Sequence, residues 1–173
     1  GGDSSAVADR LVAGVSSIVG NGKAFAALKE AGEVHTWGAS VYNDNFSAVA
    51  DRLGAGVCSI VRNGMACAAL KEAGEVTILG DAEYVGDSSA VADRLAVGVS
   101  SIVGTPGAFA ALKEAGKVVT WGEAEYGGDS SAVVDRLVVG VNSIVESPGA
   151  FAVLKEACQV VAPSLGSPAP SQP

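Results

Sequence analysis

Side chains that commonly carry out chemistry are scarce in this chain. Its 173 residues include one histidine, His35, and three cysteines, Cys58, Cys67 and Cys158. A general base needs a positioned partner, and a metal site needs several ligands at a suitable spacing. A single imidazole and three thiols outside any CxxC arrangement meet neither need. We therefore expect no catalytic residue, no cofactor and no metal site.

The segment 20–23 (GNGK) has the composition of a phosphate-binding loop. That loop requires a glycine five residues before its second glycine and a Ser or Thr after the lysine. Ser17 and Ala24 occupy those two positions, so neither requirement is met. We interpret the segment as a turn between two strands.

An Asp-Arg-Leu triplet is a third candidate, because it recurs and could bring several carboxylates together. It is found at residues 9–11, 51–53, 93–95 and 135–137. Equivalent residues of a repeat protein can lie in a ring, and carboxylates that converge on one pocket would suggest catalysis. Such pairs more often cap an element or bridge neighbouring repeats through a salt bridge. We favour that structural role.

The constant spacing of 42 residues between the triplets (9, 51, 93 and 135) indicates a repeat protein. The expected units are residues 1–42, 43–84, 85–126 and 127–168. Residues 169–173 end a Pro/Ser-rich tail that begins near residue 163 and is expected to be extended and mobile.

The third unit shows which elements each repeat should contain. Asp87, Ser88 and Ser89 are good helix caps before a short apolar stretch, which predicts a short helix or turn. The β-branched segment 99–103 predicts a strand. Residues 108–112 and 118–121 flank KEAG, which predicts a hairpin with Gly116 in the left-handed conformation. Three short antiparallel strands in about 42 residues are typical of a propeller blade.

Composition excludes several classes of protein. Hydrophobic residues make up 49% of the chain and charged residues 17%, which is too apolar for a disordered protein. The net charge is −8, and the 11 Lys and Arg residues are dispersed, so we expect no contact with nucleic acid. The uncharged stretch 95–112 contains glycines and a proline, so we expect no membrane span. A soluble, intracellular protein is favoured.

Two segments, AFAALKEAGEVHTWG (24–38) and AFAALKEAGKVVTWG (108–122), resemble the signature hairpin of the regulator-of-chromosome-condensation (RCC1) repeat family. The short period resembles the compact three-strand blades of β-lactamase inhibitory protein II. Two units depart from the pattern, with Ile-Leu-Gly at 78–80 and Ala-Pro-Ser at 162–164 in place of Thr-Trp-Gly. The resemblance implies an all-β fold, a partial β-propeller of four repeats. Members of the family generally close a ring of about seven blades.

Five aromatic residues near the ends of the hairpins are candidates for contact with a partner. They are Trp37, Tyr42, Tyr84, Trp121 and Tyr126. In propellers the loops at one rim bind partners, and Tyr and Trp are enriched in interface cores. The alternative is that these rings pack between blades.

The resemblance implies a non-enzymatic protein–protein interaction scaffold, as a module or fragment of a larger protein. The alternative is a secreted protein inhibitor that caps the active site of an enzyme. Four blades would leave apolar faces at both ends, carrying Ile18 and Phe25 in the first unit and Val141 and Phe151 in the last. Because apolar sheet faces are normally covered, we expect the end blades to self-associate or to lie beside further blades.

Overall fold

The chain folds into small antiparallel sheets. The computed structural model describes residues 3–22, 24–38, 53–64, 66–80, 88–156 and 160–161. Within these ranges there are four sheets of three strands, and strands that follow one another in sequence are paired. The expected tail, Tyr42, Tyr84 and Cys158 lie outside the described residues. No helix in the described part of the chain is long and apolar enough to cross a membrane.

The strands are numbered in chain order, three to a sheet. Sheet 1 contains β1 (Val15–Gly20), β2 (Ala24–Lys29) and β3 (Val34–Gly38). Sheet 2 contains β4 (Val57–Arg62), β5 (Cys67–Lys71) and β6 (Val76–Leu79). Sheet 3 contains β7 (Val99–Gly104), β8 (Ala108–Lys113) and β9 (Val118–Gly122). Sheet 4 contains β10 (Val141–Ser147), β11 (Ala150–Lys155) and β12 (Val160–Val161).

The predicted all-β class and the three-stranded antiparallel units are confirmed. The segments before the sheets are short helical turns: 3₁₀ turns at Ser5–Arg10, Ser88–Val91 and Ser131–Arg136, and one α-helical turn, α1, at Ala92–Leu95. A further 3₁₀ turn, Ala124–Tyr126, follows sheet 3.

Aspartate, rather than serine, begins the helical turns of the first and fourth units. The carboxylate of Asp3 accepts a hydrogen bond from the Ser5 N–H (2.9 Å), and that of Asp129 accepts one from the Ser131 N–H (2.8 Å). These bonds lower the pKa of both aspartates. The serines that follow them, Ser4 and Ser130, make no side-chain cap, so in these two turns only the aspartate of the expected Asp-Ser-Ser caps bonds to the backbone.

A β-bulge lies near the start of the first strand of every sheet. In sheets 1, 2 and 3 the side chain of the bulged residue bonds back to the neighbouring strand. Ser16 Oγ donates to the carbonyl of Leu28 (3.0 Å), and Ser100 does the same in sheet 3. In sheet 2, Cys58 Sγ takes this place and donates to the carbonyl of Leu70 (3.3 Å). In sheet 4 the bulged position holds Asn142. The bulge therefore explains why the position holds Ser, Cys or Asn rather than a large apolar residue.

Each sheet has two unlike apolar faces, because successive side chains of a strand point to opposite sides. The alanine face carries the A-x-A-x-L residues of the middle strand, at positions 24, 26 and 28 and their counterparts 42, 84 and 126 residues later. The isoleucine face carries positions 15, 18, 25 and 37 and their counterparts. Three buried clusters each combine the alanine face of one sheet with the isoleucine face of the next. All four sheets therefore stack in the same orientation, each with its alanine face against the isoleucine face of the next sheet.

A main-chain hydrogen bond joins each pair of neighbouring sheets. The glycine of the KEAG turn has a positive φ, near +70° to +78°, as the hairpin prediction requires. Its carbonyl accepts a bond from the N–H of the valine that begins the next sheet, at 3.0 Å in all three junctions. The bonds run from Val57 to Gly32, from Val99 to Gly74 and from Val141 to Gly116.

The lysine of the same turn holds the helical turn of its own unit. Lys29, Lys113 and Lys155 donate from Nζ to the carbonyl of the arginine in the Asp-Arg-Leu triplet, at 2.9, 2.7 and 3.0 Å. The triplets at 9–11, 93–95 and 135–137 form no ion pair in the described structure, where Lys71 pairs with Glu75 and His35 Nε2 lies 3.5 Å from the Glu33 carboxylate. The expected salt bridge is therefore wrong for these three units: the arginine of the triplet acts through its carbonyl, and the leucine side chains of units 3 and 4 pack in the core.

Gly116→Ala should destabilise the fold more than Gly98→Ala. Both glycines have φ near +70°, so both variants carry backbone strain of about 1–2 kcal/mol. A Cβ at Gly116 would also lie 2.7 Å from the Gly140 nitrogen, whereas one at Gly98 meets only the flexible end of Lys113 at 3.7 Å. Overpacking against the next sheet adds roughly 1–3 kcal/mol. Urea unfolding measures the free energy of unfolding of both variants. Equal losses of stability would contradict the close contact at Gly116.

Lys113→Met should destabilise the fold by about 1–3 kcal/mol, because it removes a charged donor from the Arg94 carbonyl. Lys117→Met is the matched control, since Lys117 lies in the same hairpin and makes no described side-chain bond. Thermal unfolding of both variants tests the prediction. A similar loss in the two variants would mean that the lysine bond does not hold the helical turn.

Candidate interaction surface

Two Phe–Trp pairs stack on the isoleucine faces of sheets 1 and 3. Phe25 lies opposite Trp37 across β2 and β3, with ring centroids 5.4 Å apart and planes inclined by 16°. Phe109 and Trp121 form the same pair in sheet 3, at 5.3 Å and 22°. The local geometry of the two pairs is thus the same.

Their surroundings differ. Phe109 and Trp121 are buried, because the alanine face of sheet 2 covers them. Phe25 is 39% exposed, and Trp37 is half-buried, because no described part of the chain covers the isoleucine face of sheet 1. Of the five aromatic candidates, Trp37 therefore lies at an open surface and Trp121 lies inside the stack.

Tyr126 packs between units rather than projecting into solvent. It is half-buried in the 3₁₀ turn after β9, and its ring lies against Gly107, where a Cβ would come within 2.5 Å of the ring. Its carbonyl accepts a hydrogen bond from Thr105 Oγ1 (2.9 Å). Side chain and backbone both hold Tyr126 in the interface between sheets 3 and 4.

The open face of sheet 1 extends beyond the aromatic pair. Ile18 is 57% exposed, whereas Ile60, its counterpart in sheet 2, is 9% exposed. Leu11 is half-buried, although the equivalent Leu53 and Leu95 are buried. The expected apolar end face of the first unit is confirmed.

The open face of sheet 4 is not the one that was expected. Val141 and Phe151 are buried against the alanine face of sheet 3. The exposed residues are instead on the opposite side, where Leu154 is 44% exposed and Val145 is 61% exposed. The expectation failed because it assigned the same face to both ends, whereas stacking in one direction leaves unlike faces.

One polar group lies on the open face of sheet 1. His35 stands opposite Ala27, with its Nε2 3.5 Å from Glu33 Oε2 and its side chain mostly buried. The buried Thr77 and Val119 hold the same place in sheets 2 and 3. His35 and the Glu33 carboxylate thus add polar groups to an apolar surface.

Groups suited to catalysis do not converge in the described residues. No three His, Cys, Asp or Glu side chains lie close enough there to hold a metal ion. Burial between sheets 1 and 2 raises the pKa of the Cys67 thiol to about 11. A thiol with so high a pKa stays protonated at neutral pH and is a poor nucleophile.

No protein-family model matches the chain, and no curated protein sequence matches it. Solved structures do match. Human WBSCR16 superposes with a TM-score of 0.57 at 19% identity, over 86% of this chain and 47% of that one. The structure of Kap60 bound to yeast RCC1 (Prp20) gives 0.57 at 16% identity, over 84% and 41%. Prp20p from Saccharomyces cerevisiae gives 0.54 at 16% identity, over 84% and 43%.

This chain spans less than half the length of each of these structures. The stacked three-stranded sheets, the KEAG hairpins and the superposition agree with the resemblance inferred from residues 24–38 and 108–122. The chain therefore has the RCC1-like repeat fold.

Proposed function

We propose that this chain is a non-enzymatic scaffold that binds protein partners through the isoleucine face of sheet 1. One observation carries the proposal: Phe25 is exposed in unit 1 although its counterparts in units 2 to 4 are buried, and Ile18 is exposed although Ile60 and Ile102 are buried. A contiguous apolar patch on a soluble protein commonly marks an interaction site. Ile18 and Phe25 form its centre, and Trp37 adds an aromatic ring of the kind enriched in interface cores.

The solved neighbours support this class of function. One neighbour, yeast RCC1 (Prp20), was solved with Kap60 bound, and another structure of Prp20p was described together with its binding to Gsp1p and histones. Those partners belong to those proteins. What we carry over is the use of the fold to bind other proteins. In this role the chain would act as a module of a larger protein or assembly.

The packing of the sheets changes which of the five aromatic candidates we propose as partner contacts. Trp37 stays in it, together with Tyr42 and Tyr84, which lie outside the described residues. Trp121 and Tyr126 are assigned to packing between units instead. If a captured partner proves to be an enzyme, inhibition of that enzyme tests the alternative role of a protein inhibitor.

Affinity capture with the immobilised chain tests the scaffold. Ile18→Asp places a charge at the centre of the open face, and we expect it to reduce capture of specific partners at least about tenfold, since an unpaired buried charge is strongly unfavourable. Val12→Asp is the matched control, because Val12 lies in the loop before β1 and is 81% exposed. Partners retained equally by the two variants would show that the isoleucine face is not the binding surface. Unchanged thermal unfolding of both variants verifies the fold.

A further inference from the structure

The two open faces of this chain are the two halves of an interface that it already contains. The first strands β1 and β7 have the same sequence, VSSIVG, and the middle strands β2 and β8 share AFAALK. The isoleucine face of sheet 1 therefore has the same residues at these positions as that of sheet 3. Sheet 3 is covered by Ala66, Ala68 and Leu70 of sheet 2.

The other half of the interface is open at the opposite end. Sheet 4 presents Ala150, Ala152 and Leu154, the same residue types in the same order as the cover of sheet 3. Leu154 is 44% exposed, although its counterpart Leu112 is 8% exposed when the next sheet covers it. The chain thus carries both an uncovered surface and a copy of the surface that covers it.

From this complementarity we infer that a second copy of the chain occupies the isoleucine face of sheet 1, through the alanine face of its sheet 4. The inference rests on the proposed function, since it names the partner of the same face. It continues an interface that occurs three times within one chain. The junction joins unlike surfaces, so the assembly is heterologous and either closes into a ring or extends as a filament.

A main-chain N–H of sheet 1 could make the same hydrogen bond at this junction as its counterparts in the other sheets. In sheets 2, 3 and 4 the N–H of the first valine bonds to the turn carbonyl of the preceding sheet. Val15 holds the same position in sheet 1, where no preceding sheet is described. A second copy would bring its own turn to this edge of the face.

His35 and its neighbour Glu33 differ in kind from their counterparts in sheet 3, which are Val119 and Lys117. Covering the face removes the remaining water from the imidazole and from its contact with Glu33. Removing water from polar groups without new partners is costly. His35 therefore weakens the junction relative to the one between sheets 2 and 3.

Sedimentation velocity of the purified chain tests the inference. The wild type should sediment as two or more chains, whereas Ile18→Asp and Leu154→Asp should each be monomeric, because each variant lacks one half of the junction. An equimolar mixture of the two variants should form a 1:1 dimer, since the intact alanine face of one meets the intact isoleucine face of the other. Val12→Asp changes the net charge equally and should associate like the wild type.

A monomeric wild type at all protein concentrations would overturn the second-copy inference. The scaffold proposal would survive that result if Ile18→Asp still abolished capture of other proteins. Association of Leu154→Asp on its own would also overturn the inference, because it would indicate pairing of like faces. Raising the salt concentration should tighten the wild-type assembly, since copies with a charge of −8 repel each other less when screened.

His35→Val provides a second measurement, because it replaces the imidazole by the valine that sheet 3 has at the same position, Val119. We expect the dissociation constant of the assembly to fall about tenfold when this desolvation cost is removed. An unchanged dissociation constant would mean that His35 lies outside the junction between copies. That result would contradict the proposed pairing of the two faces. The variant leaves Ile18 and Leu154 intact, so both halves of the junction remain available.

Discussion

Neighbouring sheets are tied together where a hairpin turn touches the start of the next sheet. At that point a glycine carbonyl accepts a hydrogen bond from a valine N–H at 3.0 Å, and the turn backbone lies so close to the following chain that a Cβ on Gly116 would overlap it. Only glycine satisfies both the positive φ and the close approach. The same turn supplies the lysine that holds the helical segment of its unit. The stacking of the sheets, and therefore the core between them, depends on this contact.

A sheet of three short strands cannot bury both of its faces by itself, so stability comes from the neighbouring sheets. Alanines on one face let the next sheet approach closely, and larger Ile, Phe and Trp side chains on the facing surface fill the space. Sheet 2 keeps this arrangement with other residues, since Cys67 and Leu79 stand where sheet 3 has Phe109 and Trp121. Because the two faces differ, the stack has a direction. Its ends are therefore complementary to each other and not to themselves.

This directionality links the fold to the proposed function. The apolar residues at the open ends are the ones that form the core elsewhere, so they are suited to bind another sheet of the same kind. Groups that could support catalysis are scattered through the described residues: His35 contacts only Glu33 among the charged groups, and burial keeps the Cys67 thiol protonated. The proposed function therefore uses the surface of the end sheets.

The sequence by itself determined the 42-residue repeat, the three strands of each unit and the turn glycines, because these features depend on residues close together in the chain. It also indicated the RCC1-like fold, which the superposition confirms. It could not determine which copies of a residue are exposed: Phe25 and Phe109 lie in identical AFAALK strands, yet only Phe25 is open to solvent. Nor could it show that Leu154, rather than Phe151, faces outward at the last sheet. Only the tertiary structure decided these points, because the exposure of a sheet face depends on whether another sheet lies against it.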